Sequence, residues 1–440
     1  MSSKPEEAGT TAKAGRPLVP TLRFPEFRDA GEWETLPMRK LLSRDPEYGV
    51  NAPSSPYSED KLTYLRITDI DDDGNFLSNS KVSVDINPVD GNFLKKGDIV
   101  LARTGASVGK SYRYKDKDGP LVFAGFLIRI RPESTKAVSA FLSNFLTTQQ
   151  YWSWVGVTST RSGQPGINGT EYASLPVPVP PAIAEQQKIA DCLSSVDDLI
   201  ALEARKLDAL KTHKKGLMQQ LFPAEGETLP KLRFPEFRDA GEWETLPMRK
   251  LLSRDPEYGV NAPSSPYSED KLTYLRITDI DDDGNFLSNS KVSVDINPVD
   301  GNFLKKGDIV LARTGASVGK SYRYKDKDGP LVFAGFLIRI RPESTKAVSA
   351  FLSNFLTTQQ YWSWVGVTST RSGQPGINGT EYASLPVPVP PAIAEQQKIA
   401  DCLSSLDDLI ALETQKLDAL KTHKKGLMQQ LFPVSDEVPA

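Results

Sequence analysis

Residues 182–221 read AIAEQQKIADCLSSVDDLIALEARKLDALKTHKKGLMQQL. No proline interrupts them, and apolar side chains recur at alternating steps of four and three: Ile189, Leu193, Val196, Ile200, Leu207, Leu210, Leu217 and Leu221. Glu203 and Lys214 stand at the two steps where an apolar residue is missing. Such spacing keeps one stripe of a helix turned toward a partner, so it predicts a coiled coil rather than a surface helix. Forty helical residues would span about 60 Å. No domain of this size needs such a rod internally; it reads as a spacer.

The same stretch returns further along. Residues 22–223 recur at 232–433, and over 202 aligned positions only Val196/Leu406, Ala204/Thr414 and Arg205/Gln415 differ. Solenoid units run ~20–50 residues, so this unit is a whole domain with attachments, and its two copies must fold and bind alike. The organisation predicted is a flexible tail (1–21), a globular domain (22–181), a long helix (182–223) and a polar linker (224–231). The globular domain (232–391), the helix (392–433) and a short tail (434–440) follow. The fold class is α/β (α+β).

Composition narrows the function. The chain has 440 residues, 53 Lys and Arg against 56 Asp and Glu, and a formal charge of −3. That balance argues against a histone-like coat but permits a DNA reader with its cations on one face. Two cysteines, Cys192 and Cys402, make no disulfide framework, and two histidines leave little for a metal site. No apolar run reaches the ~18–20 residues of a membrane span, and the first residues lack the apolar stretch of a signal peptide. A cytoplasmic protein is expected.

Within one copy, Leu62–Ile67, Asp98–Ala102 and Leu121–Ile130 read as strands. Lys136–Val155 reads as one packed helix, carrying Val138, Phe141, Leu142, Phe145, Leu146 and Trp152 at helical spacing. The proline ladder Leu175–Pro181 ends one element and opens the next helix from its first turn.

Candidate chemistry is sparse. Thr104-Gly-Ala-Ser-Val-Gly-Lys-Ser111 imitates a phosphate-binding loop, but that motif places a glycine where Thr104 stands, leaving the loop one residue short. From Arg103 to Arg131 the chain carries Arg103, Lys110, Arg113, Lys115, Lys117, Arg129 and Arg131 against Asp116 and Asp118, with Tyr112 and Tyr114 interleaved. Basic side chains and loop amides suit phosphates, and Arg can bond guanine O6 and N7 together; the bland reading is a solvated hairpin. Arg161, Ser162, Gln164 and Asn168 form a second candidate, since Gln and Asn can bond adenine bidentately. There a structural or phosphate-contacting turn is favoured. Arg103, Thr104, Lys110, Arg113, Lys115, Lys117, Arg161, Ser162, Gln164 and Asn168, with their copies Arg313, Thr314, Lys320, Arg323, Lys325, Lys327, Arg371, Ser372, Gln374 and Asn378, are the candidate DNA contacts.

The remaining motifs fail. Asp69–Gly74 starts like a calcium-binding loop, but its twelfth position is Ser80 rather than Glu, so an exposed turn is expected. Glu59-Asp-Lys61 is a chance-level nuclease tripeptide. Pro180-Pro181 lacks the flanking residues of an amino-methyltransferase loop. Cys192 reads as a small buried packing residue, and His213 lies in a basic tract that suits a helix C-terminus. No metal site and no active site is expected.

The ordered set Ser162-Gly-Gln-Pro-Gly-Ile-Asn168, Leu175-Pro-Val-Pro-Val-Pro-Pro181, Ala184-Glu-Gln-Gln-Lys-Ile189 and Leu221-Phe-Pro223, opened by Leu22-Arg-Phe-Pro-Glu-Phe27 with Trp33, resembles type I restriction–modification specificity subunits. The resemblance covers nearly the whole chain, twice. It implies two target-recognition domains in inverted orientation, separated by an antiparallel pair of long helices. Each domain would read half of a bipartite double-stranded DNA site, the helices setting the gap. It also implies a non-catalytic chain with no cofactor of its own. Two modification subunits carrying S-adenosylmethionine would bind it, and restriction (motor-nuclease) subunits using ATP and Mg could join. The departure is that these two domains are identical, so a palindromic target is expected. The rival readings are a coiled-coil scaffold binding protein and a stand-alone ATPase.

An antiparallel pairing can also place unlike charges together. Glu203 would face Lys424 and Lys214 would face Glu413, with Ile200 near Leu427, Val196 near Leu431 and Leu207 near Leu420. Polar seam residues fix such a register at some cost in stability.

Overall fold

Ile99–Ala102 is apolar at every position because both faces of its strand are covered: Ile99 and Leu101 turn to one core cluster, Val100 and Ala102 to another. The computed structural model describes residues 17–434 apart from Pro88, Ser162, Pro298, Arg371 and Ser372. The first copy contains β1 (Glu34–Pro37), β2 (Glu47–Tyr48), β3 (Ser54–Pro56), β4 (Leu62–Leu65), β5 (Val82–Val84), β6 (Ile99–Ala102), β7 (Ser111–Arg113), β8 (Leu121–Phe123) and β9 (Leu127–Ile130). Then come α1 (Ser139–Phe145), α2 (Gln149–Thr158), α3 (Gly169–Ser174), β10 (Pro176–Val179) and the long helix α4 (Ile183–Leu221). The second copy repeats these as β11–β20 and α5–α8, from Glu244–Pro247 (β11) to Ile393–Leu431 (α8).

Two four-stranded sheets form the domain. One has the order β2-β9-β6-β7, all antiparallel; the other has the order β3-β5-β4-β8, with β4 and β8 parallel. Leu65, Leu121 and Phe123 of the second sheet meet Val100, Ala102, Tyr112 and Leu127 of the first, while the outer face of the first sheet packs on α1, α2 and α3. The expected strand Leu121–Ile130 is therefore two strands in different sheets, joined by a corner at Ala124–Phe126. The expected helix Lys136–Val155 is also divided. Thr148 caps α2, its Oγ1 accepting the Tyr151 N–H at 3.3 Å, and this ends the helical register after Phe145.

The proline ladder is a strand. β10 pairs antiparallel with β1, Pro178 opposite Thr35 and Val177 opposite Leu36. A two-stranded ribbon has an open edge on each side, where a residue lacking N–H does no harm. Prolines at alternate positions fall on that edge, and Val177 and Val179 are buried.

The chain forms two compact units that cut across the sequence repeat: one holds residues up to Glu203 together with those from Lys416 onward, the other Ala204–Gln415. Three of the motifs that resemble the specificity subunits meet at one place in the first unit: residues 22–27 with Trp33, residues 184–189, and residues 431–433, the copy of 221–223. Glu185 is fully buried; its carboxylate accepts Nε and Nη2 of Arg23, both at 2.8 Å, and Trp33 Nε1 at 3.3 Å. Gln186 Oε1 accepts the Val138 N–H, and its Nε2 donates to Lys136 O. Phe432, just beyond α8, packs on Phe141, Phe145 and Trp33 at centroid distances of 5.1, 6.2 and 6.3 Å. In the second unit Phe222, Phe351, Phe355, Trp243, Arg233 and Glu395 repeat the arrangement. Part of the expected tail belongs here too: Trp33 N–H donates to Leu18 O and Leu22 N–H to Gln430 O, which ties residues 18–22 down. Residues 1–16 and 435–440 lie outside the described residues.

Within the first unit the start of α4 runs antiparallel to the end of α8, in a register other than the one expected. Glu203 pairs with Lys416, not Lys424, and Lys424 pairs with Asp197 at 2.6 Å. In the second unit Lys206 pairs with Glu413, and Lys214 with Asp407 rather than Glu413, both at 2.5 Å. Asp197 lies six positions before Glu203 and Lys416 eight before Lys424, a slip of about one heptad. The expected neighbours Ile200–Leu427, Val196–Leu431 and Leu207–Leu420 are displaced with it. A seven-residue slip keeps the two seams in phase but leaves Glu203 and Lys424 beside apolar steps, where each takes an off-seam partner, Lys416 or Asp197; Phe222 and Phe432, packed in the domain cores, hold the helix ends. Cys192 is half-buried, less enclosed than expected.

This register makes a prediction. Lys416→Met strands a carboxylate that is only 7% exposed, so Glu203→Leu combined with Lys416→Met should show coupling of about 0.5–3 kcal/mol in a double-mutant cycle. Glu203→Leu with Lys424→Leu should be additive. Coupling in the second cycle and none in the first would restore the register expected from the seam.

Candidate nucleic-acid interface

Arg103 and Arg161 begin two loops far apart in sequence, and the fold lays one against the other. Thr104 bridges Gly166, Gly105 N–H donates to Pro165 O at 3.0 Å, and Ile167 N–H donates to Arg103 O at 2.9 Å. The two candidate stretches thus form one surface, repeated in the second copy by Thr314, Gly376, Gly315 and Pro375.

The phosphate-loop imitation is a hairpin turn. Both flanks are strands, with Leu101 opposite Ser111, whereas a phosphate cradle opens into a helix. Its amides are already used: Val108 N–H bonds Gly105 O, Gly109 N–H bonds Ala102 O and Lys110 N–H bonds Ser107 O. Gly109 has φ +89°, and a Cβ there would stand 2.8 Å from Val155 and 2.9 Å from Trp152. This removes the basis for the ATPase reading.

The cations divide into two groups. Arg129 is buried between the sheets, bonded to Glu47 and Phe93 O, and Arg131 grips Asp98 at 2.6 and 2.7 Å. Both belong to the core, as do the interleaved Tyr112 and Tyr114. On the surface, Lys110 pairs with Asp72 at 2.6 Å and Lys320 with Asp282 at 2.6 Å. Arg161 pairs with Glu171 at 2.5 Å. Such exposed pairs are worth about 0–1 kcal/mol, so a phosphate can displace the acid. Lys115 Nζ donates to Asn75 Oδ1 at 3.0 Å, and burial, with Lys117 and Arg113 nearby, lowers its pKa; Lys325 repeats this beside Asn285. Arg113, Lys117, Arg323 and Lys327 have no ion pair among the described residues.

Of the second stretch, Asn168 is the N-cap of α3: Oδ1 accepts the Glu171 N–H, and the Glu171 side chain accepts the Asn168 N–H, as Asn378 and Glu381 do in the second copy. Its side chain is occupied with structure. Gln164 and Gln374 are exposed, their amides close to Gly105 and Gly315. Ser162, Arg371 and Ser372 lie outside the described residues. The acidic turn is not wholly exposed either. Asp69 is buried against Arg66, whose Nη2 donates at 2.7 Å, because its carboxylate also caps the Arg66 N–H. Among the described residues no group of His, Cys, Asp and Glu is placed to hold a metal, and no helix is long and apolar enough to cross a membrane.

Sequence reading missed Tyr48. Its ring lies 4.9 Å under the Arg103 guanidinium and its hydroxyl accepts the Gly169 N–H at 2.9 Å, joining the two loops from below. Nothing in its local spacing marks it.

The sequence model of the type I restriction modification DNA specificity domain matches residues 56–212 and again 266–422. The chain belongs to this family. As a type I specificity-family protein it is similar to the type I restriction enzyme MjaVIII specificity subunit of Methanocaldococcus jannaschii, with 23% identity over 77% of this chain and 79% of the relative. Its fold is that of the type I restriction–modification system S subunit from M. genitalium, with a TM-score of 0.60, 14% identity, and coverage of 94% of this chain and 99% of that one. A chain from a type I R-M system studied for complex assembly and conformational transition gives a TM-score of 0.51 at 15% identity, covering 91% of this chain and 97% of that one. The mixed α+β fold with two similar sheet domains and two long helices is the family's.

Proposed function

We propose that the chain is the DNA-recognition subunit of a type I restriction–modification enzyme and carries no catalytic centre of its own. Each copy reads one half of a bipartite site, and α4 and α8 set the gap. Modification subunits carrying S-adenosylmethionine bind the chain and methylate the site; motor-nuclease subunits using ATP and Mg can join them. The observation that carries this reading is the pairing of loops 103–110 and 161–168 into one cation-bearing surface, present twice in a chain of the specificity family. The contacts assigned to that surface are Arg103, Thr104, Lys110, Arg113, Lys115, Lys117, Arg161 and Gln164, with their copies. Asn168 acts there through the backbone it caps.

Binding to phosphates releases counterions, so log affinity should fall with log salt at about −0.9 per phosphate neutralised. Replacing Lys110 and Lys320 by alanine should make the slope shallower by about 1 for each phosphate left without its lysine. Titration of fluorescent duplexes at several salt concentrations measures both. A shallow slope, together with no preference among sequences in the presence of modification subunits, would sink this reading in favour of a protein-binding scaffold.

A further inference from the structure

We infer that Phe126 and its copy Phe336 are base-contacting residues, each reading a thymine methyl group in its half-site beside Arg103 or Arg313. The inference rests on the DNA-reading role proposed above. Phe126 sits on the corner that carries the chain from β8 to β9, and it is 57% exposed; Phe336 is 56% exposed. The corner is held from several sides. Ala124 N–H donates to Leu65 O, Gly125 N–H to Val50 O at 2.7 Å, Leu127 N–H to Ala124 O and Arg103 N–H to Phe126 O at 3.0 Å. Gly49 runs so close beneath that a Cβ there would stand 2.3 Å from the carbonyl oxygens of Phe123 and Ala124.

An exposed phenyl ring alone is ordinary on a protein surface. What distinguishes this one is its company. The Arg103 guanidinium lies over Tyr48, its Nη1 reaches Gly125 O at 3.4 Å, and its Nε is buried without a hydrogen-bond partner. Asn51 is exposed next to Gly125, and Gln164 is exposed across the paired loop. An apolar protein partner would offer that guanidinium no acceptor beyond Gly125 O. A DNA groove supplies phosphate and base acceptors for the arginine and an apolar base edge for the ring, and phenylalanine against the thymine methyl is an established readout geometry. The backbone bonds hold the corner in place before binding, so docking has little main chain left to order.

The duplication provides an internal control. The full chain, alone and with modification subunits, is used to select duplexes from a randomised pool, beside F126A, F126L and the double variant F126A/F336A. The wild-type chain should bind its selected site roughly ten- to twentyfold more weakly when one thymine in each half is replaced by uracil, the loss of two buried carbons. F126A should lose that discrimination in one half-site only and keep the salt slope. The double variant should bind the selected site roughly five- to a hundredfold more weakly. F126L, which keeps an apolar side chain against the base, should fall between, and unchanged melting curves would show that the fold is intact. Identical selected sequences and affinities for the double variant, or no thymine–uracil difference at any position for the wild type, overturns the inference. A wild-type chain without sequence preference would instead remove the DNA-reading role itself.

Discussion

Replacing Glu185 by alanine is expected to destabilise the unit that contains it by about 3–5 kcal/mol, the usual consequence of removing one partner from a buried ion pair. Arg23 is the partner; its side chain is 6% exposed, and both of its bonds to Glu185 are 2.8 Å long. Without the carboxylate, Nε and Nη2 of Arg23 and the Trp33 indole N–H lose their acceptor in a closed site, and only Nη1 keeps one, Gly31 O. The second unit keeps its own pair, Arg233 with Glu395, so the loss should appear in calorimetry as one early transition ahead of an unchanged one. For a unit of about 200 residues, each kcal/mol moves the midpoint by about 2–4 °C. Arg23→Met with Glu185→Leu should recover much of the loss, because no lone charge remains. A Glu185→Ala chain that melts like the parent would mean that the carboxylate does not hold the start of α4 to the domain.

The second large effect concerns the target. Methylation-sensitive sequencing of DNA from cells expressing this chain with its modification subunits should reveal an interrupted palindrome. The three positions that distinguish the copies all lie in α4 and α8, and none lies in the paired loops. The loop geometry agrees between copies, Gly105 to Pro165 and Gly315 to Pro375 both being 3.0 Å. If the two readers face opposite strands, as the proposed role requires, they take the same short sequence from each, as operator symmetry mirrors dimer symmetry. By the same argument Lys110→Ala and Lys320→Ala should weaken binding equally. A direct repeat would place both readers on one strand; two unrelated half-sites would refute their equivalence altogether.

The long helix was legible because its seam is a period-7 signal sustained over many turns, and Ile183–Leu221 falls within the range read from it. The pairing register was not, since that same periodicity keeps the seams in phase through a slip of seven residues. Phe222 and Phe432, which hold the helix ends, lie outside the seam. The strand Pro176–Val179 was hidden by prolines that a central strand forbids but an open-edged ribbon accepts. Leu121–Ile130 looked like one strand because all of it but Gly125 and Arg129 is apolar; the break depends on bonds from Val50 and Leu65, remote in sequence. In the interface, cations were legible as residue types, but their use was not. Arg129 and Arg131 serve the core because Glu47 and Asp98 reach them, and loops 103–110 and 161–168 meet through backbone bonds and Tyr48 that no local spacing marks.

The cut of the units across the repeat has a consequence for biosynthesis. The first unit needs Phe432 to fill the space beside Trp33, Phe141 and Phe145, yet 212 residues separate Glu203 from Lys416. At translation rates of about 5–20 residues per second, that gap lasts roughly 10–40 s. Throughout it the aromatic slot on the earlier-made domain stands open at the ribosome. The other unit is one uninterrupted stretch, Ala204–Gln415, and lacks nothing once that stretch has emerged. The half made first is the half finished last.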